Sequence, residues 1–207
     1  MEGKVWLVGA GPGDEGLLTV KARDILLDAD TIVYDHLVGK NILLKYGAGK
    51  ELINVGKTAG HHPIPQDMIN RILTEEAGKG KKVVRLKGGD PFLFGRGGEE
   101  LEELRECSIP FEAVPGVTSA LAVPAYNGIP VTHRDYASSL HIVTGHAGAG
   151  KENKINYKAL VEAGGTLVFL MGVTALESIM EGLKKGGMSP SVPAAVLQEG
   201  TTAGQRR

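Results

Sequence analysis

The side chains able to do chemistry gather at the ends of short apolar runs. Asp35 and His36 follow Thr31 to Tyr34, Lys57 follows Glu51 to Val55, and Gly88-Gly89-Asp90-Pro91 follows Lys82 to Lys87. A carboxylate at such a point either takes a proton in a reaction or caps a helix, and position alone leaves Asp35 equally open to both. Lys57 taken by itself reads as an exposed lysine. Arg96 stands before Gly97-Gly98-Glu99-Glu100, and a guanidinium there suits a two-pronged contact with a carboxylate. Glu99 and Glu100 also fit the first turn of a helix, where the dipole favours acids, and that is the expected role of Glu100. His133-Arg134, after Gly128-Ile129-Pro130-Val131-Thr132, offers adjacent positive groups to an anion.

Glycine-rich segments imitate nucleotide loops and depart from them in detail. Gly9-Ala10-Gly11-Pro12-Gly13-Asp14 ends the first apolar run, but a dinucleotide loop needs glycine where Asp14 stands, and Pro12 removes a donor. Such a turn suits a nucleoside better than a pyrophosphate, and it suits a tight turn with no ligand as well. The segment from Gly145 to Lys151 matches a phosphate loop until Glu152, an acid standing where Ser or Thr would hold magnesium. Gly56-Lys57-Thr58 has Glu51 in place of the leading glycine. Nucleotide hydrolysis and hydride transfer are therefore disfavoured. His61-His62 is not expected to hold a metal, because adjacent residues seldom point at one ion and no cysteine or carboxylate completes a set. Met171, ending an apolar run before Gly172, is more often core than contact.

The elements that must position these residues alternate. Strands are expected at Lys4 to Ala10, Thr31 to Tyr34, Glu51 to Val55, Lys82 to Lys87 and Phe111 to Gly116. Between them lie helical patterns carrying Leu18, Ala22, Ile25, Leu26 and Ala29, then Asn41 to Tyr46, then Met68, Ile69, Ile72 and Leu73, then Glu99 to Cys107. This α/β alternation predicts a mostly parallel sheet with helices on both faces, and open sheets of that kind place ligands at the carboxyl ends of their strands. A proline turn at Pro115 suggests two domains, 1–114 and 115–207. The second is expected to hold a helix over Thr118 to Tyr126, strands at Leu140 to Thr144, Thr166 to Met171 and Ala194 to Leu197, and a helix carrying Val173, Leu176, Ile179, Met180 and Leu183. A mixed sheet is expected there.

Composition narrows the class further. The 207 residues include 23 Lys and Arg against 24 Asp and Glu, a formal charge of -1, so no polyanion-binding stripe is expected and nucleic acid is not an expected partner. A hydrophobic share of 42% excludes a disordered chain. Thirty glycines are about twice the usual share, a first hint of backbone packed against a ligand. The single Cys107 forms no intrachain disulfide, no run approaches the ~20 apolar residues of a membrane span, and no secretion signal is read. A cytoplasmic location follows as an expectation.

In order and spacing, VGAGPGD (Val8 to Asp14), VYDHLV (Val33 to Val38), VGK (Val55 to Lys57), RLKGGDPFLFGRGGEE (Arg85 to Glu100), PGVTSA (Pro115 to Ala120) and GIPVTHR (Gly128 to Arg134) resemble the uroporphyrinogen-III C-methyltransferases, a branch of the tetrapyrrole methylases. The resemblance runs nearly end to end. It implies a tetrapyrrole methylase-like fold of two α/β domains with a ligand cleft between them, usually in a homodimer. It also implies an S-adenosyl-L-methionine cofactor, S-adenosyl-L-homocysteine as product, and two successive methylations of uroporphyrinogen III to precorrin-2. By motif, the cofactor contacts would be Pro12, Gly88, Gly89, Asp90, Leu93, Thr118, Ser119, Met171 and Gly200. Asp35 would be the proton acceptor and Lys57 a proton donor, with Arg96 beside them in the catalytic set. Arg96, Glu99 and Arg134 would line the tetrapyrrole side, with His36 and His133 next to them. Two departures stand out. Many members have arginine where this chain has His36, which makes a carboxylate contact there weaker or pH-dependent. The family also continues through a further α/β segment beyond QEGTT, so the second domain is expected to be incomplete at its C-terminus.

Overall fold

The computed structural model describes residues 3–56, 64–145 and 155–207, which form two compact units. The first unit comprises Met1–Ala122 and Glu199–Gly204. Its strands are β1 (Lys4–Gly9), β2 (Thr31–Tyr34), β3 (Glu51–Asn54), β4 (Lys82–Lys87) and β5 (Phe111–Val114). They pair in parallel in the order β3-β2-β4-β1-β5. Helices α1 (Val20–Asp28), α2 (Lys40–Tyr46), α3 (Gln66–Gly78) and α4 (Gly97–Glu106) connect them, and a short 3-10 turn at Glu15–Leu17 precedes α1. The ends of β2 and β4 coincide with the apolar runs read from sequence, and the other strands differ by one or two residues.

Period-two alternation sorts the strand side chains onto two cores. Val8, Ile32, Val84 and Leu86 pack with Ala22, Leu26 and Ile42 on one side. On the other, Val5, Leu7, Val33 and Val83 pack with Ile69, Leu73 and Leu104. Each fully buried Leu contributes on the order of 1.5–3 kcal/mol, which is why helices as short as α2 hold their place. Of the apolar residues read on α3, Met68 is exposed, because Ile69, Leu73 and Ala77 take the buried stripe. Thr19 caps α1 by accepting from the Ala22 N–H.

The connection leaving β1 runs toward β2, across β4, whereas the connection leaving β4 runs toward β5, across β1. The direction of winding therefore reverses between β1 and β4, and the crevice beyond their carboxyl ends is where such sheets receive ligands. At the far edge, Glu112 on β5 accepts from the Lys4 ammonium at 2.8 Å and pairs with Lys21 on α1. These two lysines hold its carboxyl down at about 2. A depressed carboxyl adds stability above its unfolded value and loses it as the pH falls. Glu112→Gln is therefore expected to melt lower than the parent at neutral pH, by about 1 kcal/mol or less for a partly exposed pair. The gap in melting temperature should close between about pH 4.5 and pH 2, and a gap that stays constant would show that the pair carries no charge-dependent stability.

The chain passes into its second unit, Val123–Gln198 with Gln205–Arg207, inside α5 (Ser119–Tyr126). The division falls between Ala122 and Val123, against an expected 114/115, because the first half of α5 packs with the first unit: Ala120 and Ala122 are buried. The second unit holds β6 (Leu140–Thr144) and β7 (Thr166–Leu170), paired in parallel, with α6 (Tyr157–Ala163) and α7 (Leu176–Lys185). No mixed sheet forms among its described residues. Ala194–Leu197 has no strand partner among the described residues. Helix α6, which no periodicity announced, is capped by Asn156, whose side chain accepts from the Ala159 N–H. The Tyr157 ring lies over Gly182 of α7, where a Cβ would come within 2.5 Å of it. Of the stripe expected on α7, Ile179 and Leu183 are buried while Val173, Leu176 and Met180 are exposed. Among the described residues no helix is long and apolar enough to cross a membrane.

Candidate functional site

The loops after β1, β4 and β5 meet backbone to backbone at the reversal point. Gly11 and Gly89 exchange hydrogen bonds, Gly89 N–H donating to the Gly11 carbonyl at 2.7 Å and Gly11 N–H to the Gly89 carbonyl at 3.2 Å. Such an approach needs residues without side chains. A Cβ on Gly9 would lie 2.5 Å from Gly116 Cα, and one on Gly116 would lie 2.2 Å from the Gly89 carbonyl oxygen. Gly89 itself takes a left-handed φ of 67° and faces open space, with nothing within 4 Å of where its Cβ would be. The edge thus offers bare backbone beside room for a ligand, as a nucleoside-bearing cofactor requires.

Asp90 builds this edge more than it decorates it. Its Oδ1 accepts from the N–H groups of Phe92 (2.9 Å) and Leu93 (3.3 Å), and its Oδ2 accepts from Gly116 N–H at 3.1 Å. It ties the β4 loop to the β5 loop. Pro12, Gly88, Leu93, Thr118 and Ser119 are half-buried around the same edge, and the Thr118 hydroxyl caps α5 by accepting from Ala120 N–H at 3.2 Å. Gly200 belongs to the first unit because Glu199–Gly204 returns to it: Asp14 N–H donates to the Thr201 hydroxyl, and Thr202 packs against Gly13. Asp14, the residue that breaks the dinucleotide pattern, also caps the 3-10 turn through Gly16 N–H.

Asp35 follows β2 on the same edge. Leu37 N–H donates to its Oδ1 at 3.0 Å, and its Oδ2 lies 3.6 Å from the Arg85 guanidinium. Its side chain is 21% exposed, so it is held and still reachable. His36 is exposed in the turn that follows. Lys57, expected nearby, lies outside the described residues, as do His61, His62 and most of the Gly145 to Lys151 loop. Arg96 initiates α4 from a left-handed conformation, φ 57°, which is costly for a side chain of this size and is characteristic of functional loops. It grips Glu99 through two bonds, Nε to Oε1 at 2.9 Å and Nη2 to Oε2 at 2.5 Å. Both are exposed, so a substrate carboxylate would compete with Glu99 for the same fork.

Glu100 departs from the sequence reading. It is fully buried, and its carboxylate accepts from Lys87 Nζ at 2.9 and 3.0 Å, from Arg85 Nε at 3.1 Å and from Gln66 Nε2 at 3.2 Å. A first-turn dipole role does not require such burial. Burial, and then the neighbouring guanidinium of Arg85, push the Lys87 ammonium below its usual value, against the pull of Glu100 and Asp35. The signal that could have found this cluster is the alternation Val83, Arg85, Lys87 on a strand covered on both faces: two inward cations demand an acid above them.

Three expected residues lie in the second unit. His133 and Arg134 are exposed in a turn closed by mutual backbone bonds between His133 and Ala137. Nδ1 of His133 accepts from Asp135 N–H at 3.1 Å, and its ring meets that of Tyr136 at 4.9 Å. Met171 takes a φ of 57° and is 54% exposed, so its core reading is replaced by an exposed, conformationally strained one. Among the described residues no cluster of His, Cys, Asp and Glu has the makings of a metal site.

Residues 4–207 match the family model described as tetrapyrrole (corrin/porphyrin) methylases. An S-adenosyl-L-methionine-dependent uroporphyrinogen III methyltransferase from Methanosarcina barkeri is 54% identical over 99% of this chain and 80% of its own length. The porphyrin biosynthesis protein HemD of Ruminiclostridium josui is also 54% identical, and a siroheme synthase of Pseudomonas putida is 52% identical. The chain spans only 41% and 44% of those two longer relatives. Among solved structures, the uroporphyrin-III C-methyltransferase of Thermus thermophilus complexed with S-adenosylhomocysteine is similar with a TM-score of 0.85 at 40% identity, over 99% of this chain and 86% of that one. A cobalt precorrin-4 methyltransferase shares the fold with a TM-score of 0.85 at 27% identity. With its parallel sheet, its glycine-built edge and these relatives, the chain belongs to the tetrapyrrole methylase family.

Proposed function

We propose that this protein is an S-adenosylmethionine-dependent C-methyltransferase that methylates uroporphyrinogen III twice, giving precorrin-2 and S-adenosylhomocysteine, as a cytoplasmic homodimer. The observation that carries the reading is the placement of a held, partly accessible carboxylate, Asp35, on the same sheet edge as the open backbone at Gly89. Relatives named for this reaction support the choice of substrate.

The cofactor contacts in this reading are Pro12, Gly88, Gly89, Asp90, Leu93, Thr118, Ser119, Met171 and Gly200; left-handed Gly89, with nothing within 4 Å of where its Cβ would be, supports it. When bound, S-adenosylmethionine supplies an electrophilic methyl group. The pyrrole carbon of the substrate is electron-rich without help, so this chain's work is alignment and proton removal. The methylated ring carbon carries a side chain and no hydrogen, so the proton lost comes from a pyrrole N–H or a bridging CH2 of the macrocycle, and Asp35 Oδ2 takes it at about 3 Å, directly or through one water. Lys57 is the proton donor of the set, Arg96, His36, His133 and Arg134 receive the carboxylates that the macrocycle carries, and Glu99 lines the tetrapyrrole side through its hold on Arg96. Local charge does this in a chain of net charge -1.

Arg134→Ala is expected to raise the KM for uroporphyrinogen III about tenfold, the scale of one lost charged hydrogen bond, while S-adenosylhomocysteine affinity stays within about threefold. Steady-state kinetics and calorimetry read the two effects separately. A larger loss for S-adenosylhomocysteine than for uroporphyrinogen III would contradict the placement of Arg134. The assignment is tested by anaerobic incubation with both reactants and mass analysis of the product, where transfer to uroporphyrinogen III is required.

A further inference from the structure

The buried ions under α4 have no part in the chemistry described so far. Arg85 and Lys87 are each 4% exposed and Glu100 is fully buried. Buried ion pairs seldom add stability over well-packed apolar residues of similar size, so a cluster kept at this position calls for another reason. Its location suggests one. Arg85 and Lys87 occupy alternate positions at the carboxyl end of β4, on the face that Val83 begins, and Asp35 extends the same face from β2, where Val33 precedes it. One carboxylate, Glu100, stands against two cations, and the second anion that meets Arg85 is Asp35. The carboxylate of Glu100 anchors Arg85 through Nε and leaves Nη2 directed at Asp35 Oδ2, 3.6 Å away.

We propose that Arg85 and Glu100 are positioning residues for Asp35: Glu100 fixes the guanidinium, the guanidinium fixes the Oδ2 side of the carboxylate, and Leu37 N–H fixes the other oxygen. The inference rests on the reading of Asp35 as the proton acceptor. Lys87 completes the cluster, its ammonium held by both oxygens of Glu100.

Arg85→Lys keeps the charge and loses the fork, while Glu100→Gln keeps the shape and loses the anchor. Each is expected to lower kcat by about tenfold or more, with the KM for uroporphyrinogen III and the Kd for S-adenosylhomocysteine within about threefold. In an Asp35→Asn background either change should cost little further in kcat, because groups that act through one another do not add. Melting temperatures of the Asp35→Asn and Arg85→Lys cycle give a readout independent of turnover and should also be non-additive. Unchanged kcat in both variants, losses that multiply with that of Asp35→Asn, or strictly additive melting shifts would each overturn the proposal. Failure of both variants to melt cooperatively would also overturn it, making the cluster a folding element. Wild-type protein inactive on uroporphyrinogen III, by contrast, would sink the assignment of function, and the melting cycle would still report whether Arg85 holds Asp35.

Discussion

Asp35→Asn is expected to slow methylation of uroporphyrinogen III by about 10²-fold or more, the usual contribution of a placed general base, with S-adenosylhomocysteine affinity within about threefold. The substitution isolates one property. An amide oxygen still accepts from Leu37 N–H, so the turn after β2 is retained, but nothing remains at the Oδ2 position able to take a proton. The proposed cofactor contacts lie on the loops closed by Gly11 and Gly89, after β1 and β4. Arg85 loses its second anion, so a lower melting temperature accompanies the change and has to be measured beside the kinetics. Near wild-type turnover in a folded variant would remove Asp35 from the proton-accepting role.

Gly116→Ala is expected to be among the most damaging single methyl additions in the first unit. Its Cβ would lie 2.2 Å from the Gly89 carbonyl oxygen and 2.6 Å from Gly9 Cα, both parts of backbone rather than flexible side chains. To make room, the β5 loop has to move away from the β1 and β4 loops, breaking the bond from Gly116 N–H to Asp90 that holds them together. Overpacking of this kind costs about 1–3 kcal/mol. The expected result is a fall of several degrees in melting temperature together with loss of measurable S-adenosylhomocysteine binding. Gly78→Ala, at the end of α3 with nothing within 4 Å of the new carbon, is the matched control and should melt at or above the parent temperature. Binding by Gly116→Ala at the parent affinity would show that the three-loop contact is not part of the cofactor site.

Much of the first unit was legible because its signals are local. The runs Thr31 to Tyr34 and Lys82 to Lys87 are short, β-branched and bounded by turn residues, and they became β2 and β4 without adjustment. Parallel pairing then sends Asp35, Gly88-Gly89 and the first glycine loop to one edge, as alternation predicts. Less of the second unit was legible. Helix α6 spans only seven residues, just under two turns, too short to show a period, and Ala194–Leu197 has strand-like composition without a neighbour to pair with among the described residues. Glu100 was misread because an acid in a first helical turn is ordinary until its burial is known. Asp90 was read from family resemblance as a cofactor contact, and its part in tying two loops together through three backbone N–H groups was not legible. Which groups a loop acid turns to is decided by how separate strands bring their ends together, and spacing along one chain does not encode that.

In the proposed reaction, a carboxylate at the end of β2 and a cofactor cradle at the ends of β1 and β4 act on one porphyrinogen. The most direct measurement is methyl transfer itself, with purified protein, S-adenosylmethionine and uroporphyrinogen III under anaerobic conditions, the product being read by mass. The account predicts a product carrying two added methyl groups and a matching release of S-adenosylhomocysteine. Tight S-adenosylhomocysteine binding with no methyl group added to uroporphyrinogen III would contradict it.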